Sequence, residues 1–125
     1  MTLKTSLVQH IQDAFRLTDR GVIGIVDEVL ALGRDHRLQL VWQSGRCRVQ
    51  PLDGNGQDTI EVPLPKSVFR AILARLAAMC NERSPNAVSP YGGQGEIVIG
   101  GDPQAVVQVT FTNTGDEQRV VMGQV

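Results

Sequence analysis

Between Leu38 and Leu64 apolar residues recur at every second position, and turn-forming residues break the run twice. Leu38, Leu40 and Trp42 alternate with Gln39 and Val41, and Gln43-Ser44-Gly45 is a tight turn. The strand that follows, Arg46 to Leu52, places Cys47 and Val49 on one face and Arg46, Arg48 and Gln50 on the other, because strand side chains alternate between faces. Asp53-Gly54-Asn55-Gly56 is a strong turn signal, and Ile60, Val62 and Leu64 alternate in a third strand. A chain with this pattern must build an antiparallel sheet that is apolar on one side.

The residues on either side supply the cover for that apolar face. Leu3, Leu7, Val8, Ile11, Ala14 and Phe15 recur at helical spacing. Thr18 or Asp19 is placed to cap a second helix, whose stripe is Val22, Ile25, Val26, Val29, Leu30 and Leu32 and whose end is expected at Gly33. Pro65 suits the first position of a third helix, where its missing N–H costs nothing. That helix has Val68, Phe69, Ile72, Leu73, Leu76 and Met79 on its apolar face, with Lys66, Arg70 and Arg75 elsewhere. Asn81 to Gly95 is rich in Pro, Gly, Ser and Asn and reads as a long loop. Three short strands follow: Glu96–Ile99, Ala105–Thr112 and Gln118–Met122. Gly100-Gly101-Asp102-Pro103 and Asn113-Thr114-Gly115-Asp116 separate them. The expected fold class is α+β, in the order ααβββαβββ, with one or two antiparallel sheets and helices over their apolar faces.

The chain has 125 residues, 42% of them hydrophobic and 20% charged. It is expected to be one domain spanning 1–125, with a leading helix over 1–20 and the main body over 21–125, and to be globular rather than disordered. No repeat or linker divides it, and Met1 is expected to be a natural start. The net charge of −1, spread along the chain, argues against a generic nucleic-acid or membrane-surface binder. No apolar run is long enough to span a bilayer or resembles a signal peptide, so a cytoplasmic location is expected. Cys47 and Cys80 read as small buried hydrophobes with free thiols. His10 and His36 lack the spacing of a zinc site and belong to no recognisable triad. No cofactor motif is read, and no metal ligand set.

In this order the elements resemble the second N-terminal domain, the one that precedes the motor, in type II secretion and type IV pilus assembly ATPases. In that family a hairpin carries Arg-x-Arg-Ile-Asp-Gly, a helix follows a Leu-Pro, and a final hairpin carries Gly-Glu-x-Val-Val. Here Arg48 stands for the first arginine, Asp53-Gly54 for the end of that motif and Leu64-Pro65 for the helix entry. Gly115-Asp116-Glu117-Gln118-Arg119-Val120-Val121 stands for the closing segment. Matching positions run from about Val22 to Met122. Gln50 replaces the second arginine, Arg34-Asp35-His36 replaces Ala-Ser-Asp, and Ser89 to Gly95 replaces a Pro-Gln-x-Gly loop. Val109-Thr110 lacks the arginine of Arg-Val-Ser.

The resemblance implies a stand-alone, non-catalytic accessory domain that packs on a partner ATPase ring or on itself. It also implies that arginines of the domain approach nucleotide phosphates held by a neighbouring chain. A planar, permanently charged guanidinium suits that role. No G-x-x-x-x-G-K-[ST] occurs, and Lys66-Ser67 has no glycine frame ahead of it, so the chain is not expected to hydrolyse ATP itself. The candidate contacts are Arg46, Arg48, the loop around Tyr91 with Gln94, and the closing turn with Asp116 and Arg119.

Three other readings compete. A small-ligand or anion-binding module could use the open sheet face, with Arg46 and Arg48 aided by Arg70 or Arg75. Gly92-Gly93-Gln94 is the tripeptide of peptide-release factors and would imply a peptidyl-tRNA hydrolase, but its neighbours Tyr91, Gly95 and Glu96 are not the basic surroundings that RNA binding needs. Asp53-Gly54-Asn55-Gly56-Gln57-Asp58 fails as a calcium loop, since Asp58 sits where glycine is needed and Leu64 where the bidentate glutamate belongs.

Overall fold

The computed structural model describes residues 3–16, 19–52, 59–86, 88–89, 91–100, 104–114 and 117–124. Two helices come first, α1 (Leu3–Ala14) and α2 (Gly21–Asp35). Three strands, β1 (Leu38–Gln43), β2 (Arg46–Pro51) and β3 (Ile60–Val62), lead into α3 (Lys66–Arg83). The strands β4 (Val88–Ser89), β5 (Gly92–Ile99), β6 (Ala105–Asn113) and β7 (Glu117–Gln124) follow. The class is α+β, as expected. Of the two arrangements open from sequence, the chain adopts one sheet: the seven strands form an antiparallel sheet in the order β3-β2-β1-β7-β6-β5-β4.

Two meanders are joined where β1 meets β7. Leu38 pairs with Met122, Leu40 with Val120 and Trp42 with Gln118. This register brings the apolar residues of both strands to the same face, since a slip of one residue would turn every side chain over. The apolar positions of the outer strands fall in line: Cys47, Val49, Ile60 and Val62 on one flank, and Ile97, Val107, Val109 and Phe111 on the other. Ile11 and Phe15 from the first helical segment, Ile25, Val26 and Val29 of α2, and Phe69, Ile72, Leu73 and Leu76 of α3 complete a single core against them. Trp42 packs on Phe69, with ring centroids 5.7 Å apart and planes tilted by 41°. The helices thus cover one face of the sheet. The opposite face carries mostly polar side chains, an arrangement antiparallel sheets permit.

The β1–β2 turn follows the sequence. Ser44 and Gly45 have φ of 55° and 78°, which is the two-residue turn whose twist matches the strands it joins. Arg46 is exposed while Cys47, Val49 and Pro51 are buried, as the alternation requires. The turn expected over Asp53 to Gly56 lies outside the described residues, as do Thr18, Gly101 to Pro103, and Gly115-Asp116.

Several boundaries differ from expectation. Asn81 to Gly95 is not one loop: α3 continues to Arg83, β4 occupies Val88–Ser89, and β5 begins at Gly92. Two side-chain effects hold this segment in place. The Asn81 amide acts as a substitute strand, donating from Nδ2 to the Val88 carbonyl at 2.9 Å and accepting the Val88 N–H on Oδ1 at 3.1 Å. Gly95 faces α3 so closely that a Cβ there would lie 2.8 Å from Cys80 Cβ. A glycine that lowers strand propensity is therefore what allows helix and strand to close up.

Gly33 does not end α2, which runs on to Asp35 and is followed by an extended His36. Gly33 is buried, and a Cβ there would meet Met122 Cγ at 3.2 Å, so its role is close helix–sheet packing. The residue before α2 is Arg20, in helical conformation and without a side-chain cap, so Asp19 does not cap it. Pro65 precedes α3 by one residue, and its carbonyl accepts the N–H groups of Val68 and Phe69, each at 3.1 Å.

Candidate functional site

Three of the sequence-derived candidates, Arg46, Arg48 and Arg119, come together on the polar face of the sheet. Directly opposed residues in antiparallel strands present their side chains to the same face. Val41 pairs with Arg48 on one side and with Arg119 on the other. Arg48 in turn pairs with Glu61, and Arg119 with Thr112. A transverse row, Glu61–Arg48–Val41–Arg119–Thr112, therefore crosses five strands. At a spacing of about 4.8 Å between strands, the two arginine Cα atoms lie about 10 Å apart. Val41 lies on the side away from the helices yet is only 9% exposed. The stems of flanking arginines are suited to covering such a residue while their heads stay in water.

The three arginines of this patch differ in what holds them. Arg46, one step along β2, pairs through Nη1 with Glu61 Oε1 at 3.2 Å. Arg119 Nη2 pairs with Glu117 Oε1, and the Arg119 Nε is buried without a hydrogen-bond partner among the described residues. Arg48 is half-buried and has no ion-pair or hydrogen-bond partner among the described residues. Among the described residues, its guanidinium is the member of the patch not paired with a carboxylate.

The remaining candidates are spread out. Gln94 lies in β5 rather than in a loop. It pairs in register with Thr110 and is exposed on the polar face. Tyr91 is 63% exposed, and its N–H donates to Ser89 Oγ at 3.3 Å. It sits beside the start of β5, four strand spacings or about 19 Å from β2. Arg70 and Arg75 do not join Arg46 and Arg48. The buried positions of α3 are Phe69, Ile72, Leu73, Leu76, Ala77 and Cys80, and both arginines fall outside that stripe, exposed on the helical layer. The expectation that they complete an anion-binding edge is thus corrected by helix phase. Asp116 lies outside the described residues.

The two cysteines are buried and free. Burial pushes the Cys47 thiol up to about 12 and the Cys80 thiol up to about 11, which disfavours the reactive thiolate. Among the described residues no three His, Cys, Asp or Glu side chains are grouped to hold a metal ion. Nor is any helix there long and apolar enough to cross a membrane.

Sequence reasoning overlooked two concave features. A groove of about 600 Å³ runs between α1 and α2. Its walls carry both signs of charge, including the pair Arg16–Asp13, Arg20, Glu28 and Asp35. A cleft of about 240 Å³ lies at the end of α2 against the middle of β6 and the end of β7, with Arg34 and Arg37 on its wall. Both arginines were visible in sequence only as a local run, Arg34-Asp35-His36-Arg37. The strand residues that face them come from 70 or more positions later.

The geometry defines a two-layer α+β domain with one sheet face covered by helices and the other bare, crossed by a row of charged and polar side chains. No family model matches the chain, and no curated protein matches it.

Proposed function

We propose that this chain is a non-catalytic interaction domain that docks through the bare face of its sheet. The preferred partner is a P-loop ATPase of the secretion and pilus assembly class, whose pre-motor domain the sequence resembles; self-association is the other route to covering the face. The observation that carries the reading is Arg48: a guanidinium on the sheet face away from the helices, in line with Arg119, and without a carboxylate partner among the described residues. A planar fork of fixed charge in that position suits pairing with a phosphate or carboxylate brought by another chain. The location consistent with this role is the cytoplasm.

The release-factor reading is not favoured. Gly92, Gly93 and Gln94 are paired in register with Thr112, Phe111 and Thr110, which fixes the tripeptide inside a ladder.

The test is direct binding of the purified chain to a purified P-loop ATPase from the same cell, with and without nucleotide. Arg48→Ala is expected to weaken binding at least tenfold and leave the urea midpoint unchanged. Unaltered affinity in Arg48→Ala would overturn the arginine part of the proposal. Absence of binding by the unmodified chain would overturn the choice of partner.

A further inference from the structure

The cleft at the end of α2 adjoins the Arg119 end of the row, since Thr110 and Val121 line it and lie one same-face step, about 7 Å, from Thr112 and Arg119, but it is built by different arginines. Arg37 precedes Val41 by four residues, so it stands about 13 Å along the strand direction from that row. The sheet continues here in register: Val121 pairs with Thr110, and Gly123 with Gln108. A Cβ at Gly123 would meet Arg37 Cγ at 3.2 Å and its Cβ at 3.4 Å. The missing side chain of Gly123 therefore leaves room for the Arg37 stem beside β7, and Arg37 and Gln108 line one cleft. Arg34, from the last turn of α2, lines the same cleft, and so do Gln108 and Thr110.

Neither Arg34 nor Arg37 has a side-chain ion-pair or hydrogen-bond partner among the described residues. Asp35 also lines the cleft, and the carbonyl end of α2 adds some negative potential. Among the described lining residues, two guanidiniums stand against one carboxylate, which favours an anion. The lining side chains able to donate are the two planar forks, the carboxamides of Gln108 and Gln124, the Thr110 hydroxyl and the His36 imidazole. One fork satisfies a carboxylate, which has only two oxygens. Two forks with further donors match the larger number of oxygens on a tetrahedral anion. The volume, about 240 Å³, falls below the range of about 300–1,000 Å³ usual for drug-sized ligands, so it suits a phosphate group rather than a whole nucleotide.

We infer that this cleft, built by Arg34, Arg37, Gln108 and Thr110 and opened by Gly123, is a binding site for a phosphate monoester or inorganic phosphate. It needs no partner chain and does not depend on the docking role of Arg48.

The experiment is a titration of the full chain with inorganic phosphate and, separately, with methyl phosphate and acetate, at ionic strength held constant with chloride. Amide shifts in two-dimensional NMR are the readout. Saturable shifts centred on Gln108, Thr110 and Gly123 are expected with both phosphates, and acetate is expected to bind at least tenfold more weakly. Arg34→Gln and Arg37→Gln should each weaken phosphate binding at least tenfold with an unchanged urea midpoint, while Lys66→Ala, at the start of α3, should not. Gly123→Ala should also weaken binding, because the new methyl displaces the Arg37 stem. Non-saturating shifts spread over the surface, acetate binding equal to phosphate, or full binding by Arg37→Gln would each overturn the proposal.

Discussion

Gly95 leaves no room for a side chain against Cys80: a Cβ at position 95 would lie 2.8 Å from Cys80 Cβ and 3.1 Å from its sulfur. The nearest obstacle is a Cβ fixed to the helix backbone, so a side chain at 95 can be admitted only by moving α3. Gly95→Ala is expected to destabilise the fold by about 1–3 kcal/mol, the usual cost of overpacking. Urea denaturation measures it. Cys80→Ala should not rescue the variant, because the Cβ in conflict remains.

Gly33→Ala gives the contrasting case. The atoms a new methyl would meet are Met122 Cγ at 3.2 Å and Sδ at 3.3 Å, which belong to a flexible side chain. Replacing glycine by alanine inside a helix also gains about 1 kcal/mol. The two effects oppose each other, and the expected net change is within about 1 kcal/mol of zero. If Gly33→Ala cost as much as Gly95→Ala, the distinction between a yielding and a fixed neighbour would be wrong.

Asn81 holds β4 with two hydrogen bonds to one residue. Asn81→Asp keeps an acceptor for the Val88 N–H but sets a carboxylate against the Val88 carbonyl. The expected cost is about 1–3 kcal/mol, together with faster hydrogen exchange at Val88. Exchange at Val88 unchanged from the unmodified chain would show that β4 does not depend on this side chain.

The thiols set an alkaline limit. Burial holds Cys47 near 12 and Cys80 near 11, against an ordinary value of 9.0. Below about pH 9 both thiols are protonated, folded or unfolded, and the pH has no effect through them. From there up to about 11, the unfolded chain releases thiol protons that the folded chain retains, so stability falls as pH rises. The slope is at most about 1.4 kcal/mol per pH unit for each thiol. Urea midpoints at pH 8 and 10.5 should diverge more in the unmodified chain than in the Cys47→Ala/Cys80→Ala variant. Equal divergence would assign the effect to other groups.

Arg48 and Arg119 separate binding from stability. Arg48 has no ion-pair or hydrogen-bond partner to lose among the described residues, and Arg48→Ala should change stability by less than about 0.5 kcal/mol. Arg119→Ala leaves Glu117, whose side chain is 18% exposed, without its ion pair. Because Arg119 itself is 39% exposed, solvent screening keeps the expected cost to about 1 kcal/mol.

How much of this was legible depends on the range of the interaction. The alternation through Leu38, Leu40, Cys47, Val49, Ile60 and Val62 is a local signal, and it placed the first meander and its buried face. The Ser44-Gly45 turn and the apolar stripe of α3 were equally local. The extent of β5 was not, because Gly92, Gly93 and Gly95 favour a loop until Cys80 is placed against them. Gly33 looked like a helix end for the same reason, since its packing against Met122 spans 89 positions of sequence. Among the site residues, the facing of Arg46 and Arg48 could be read from β2 alone. The alignment of Arg119 with Arg48 could not, since it required knowing that β7 pairs with β1.

That pairing bears on how the protein is made. The segment from Leu38 to Val62 meets its inner neighbour only when residues 117–124 have been synthesised. A nascent chain emerging from the ribosome therefore carries β1 with one edge unpaired through most of translation. Long-range strand closure of this kind is slow and leaves apolar surface open to aggregation. Holding that half-sheet until its last strand arrives is a natural task for a chaperone, and a protein shortened before Glu117 would keep the open edge indefinitely.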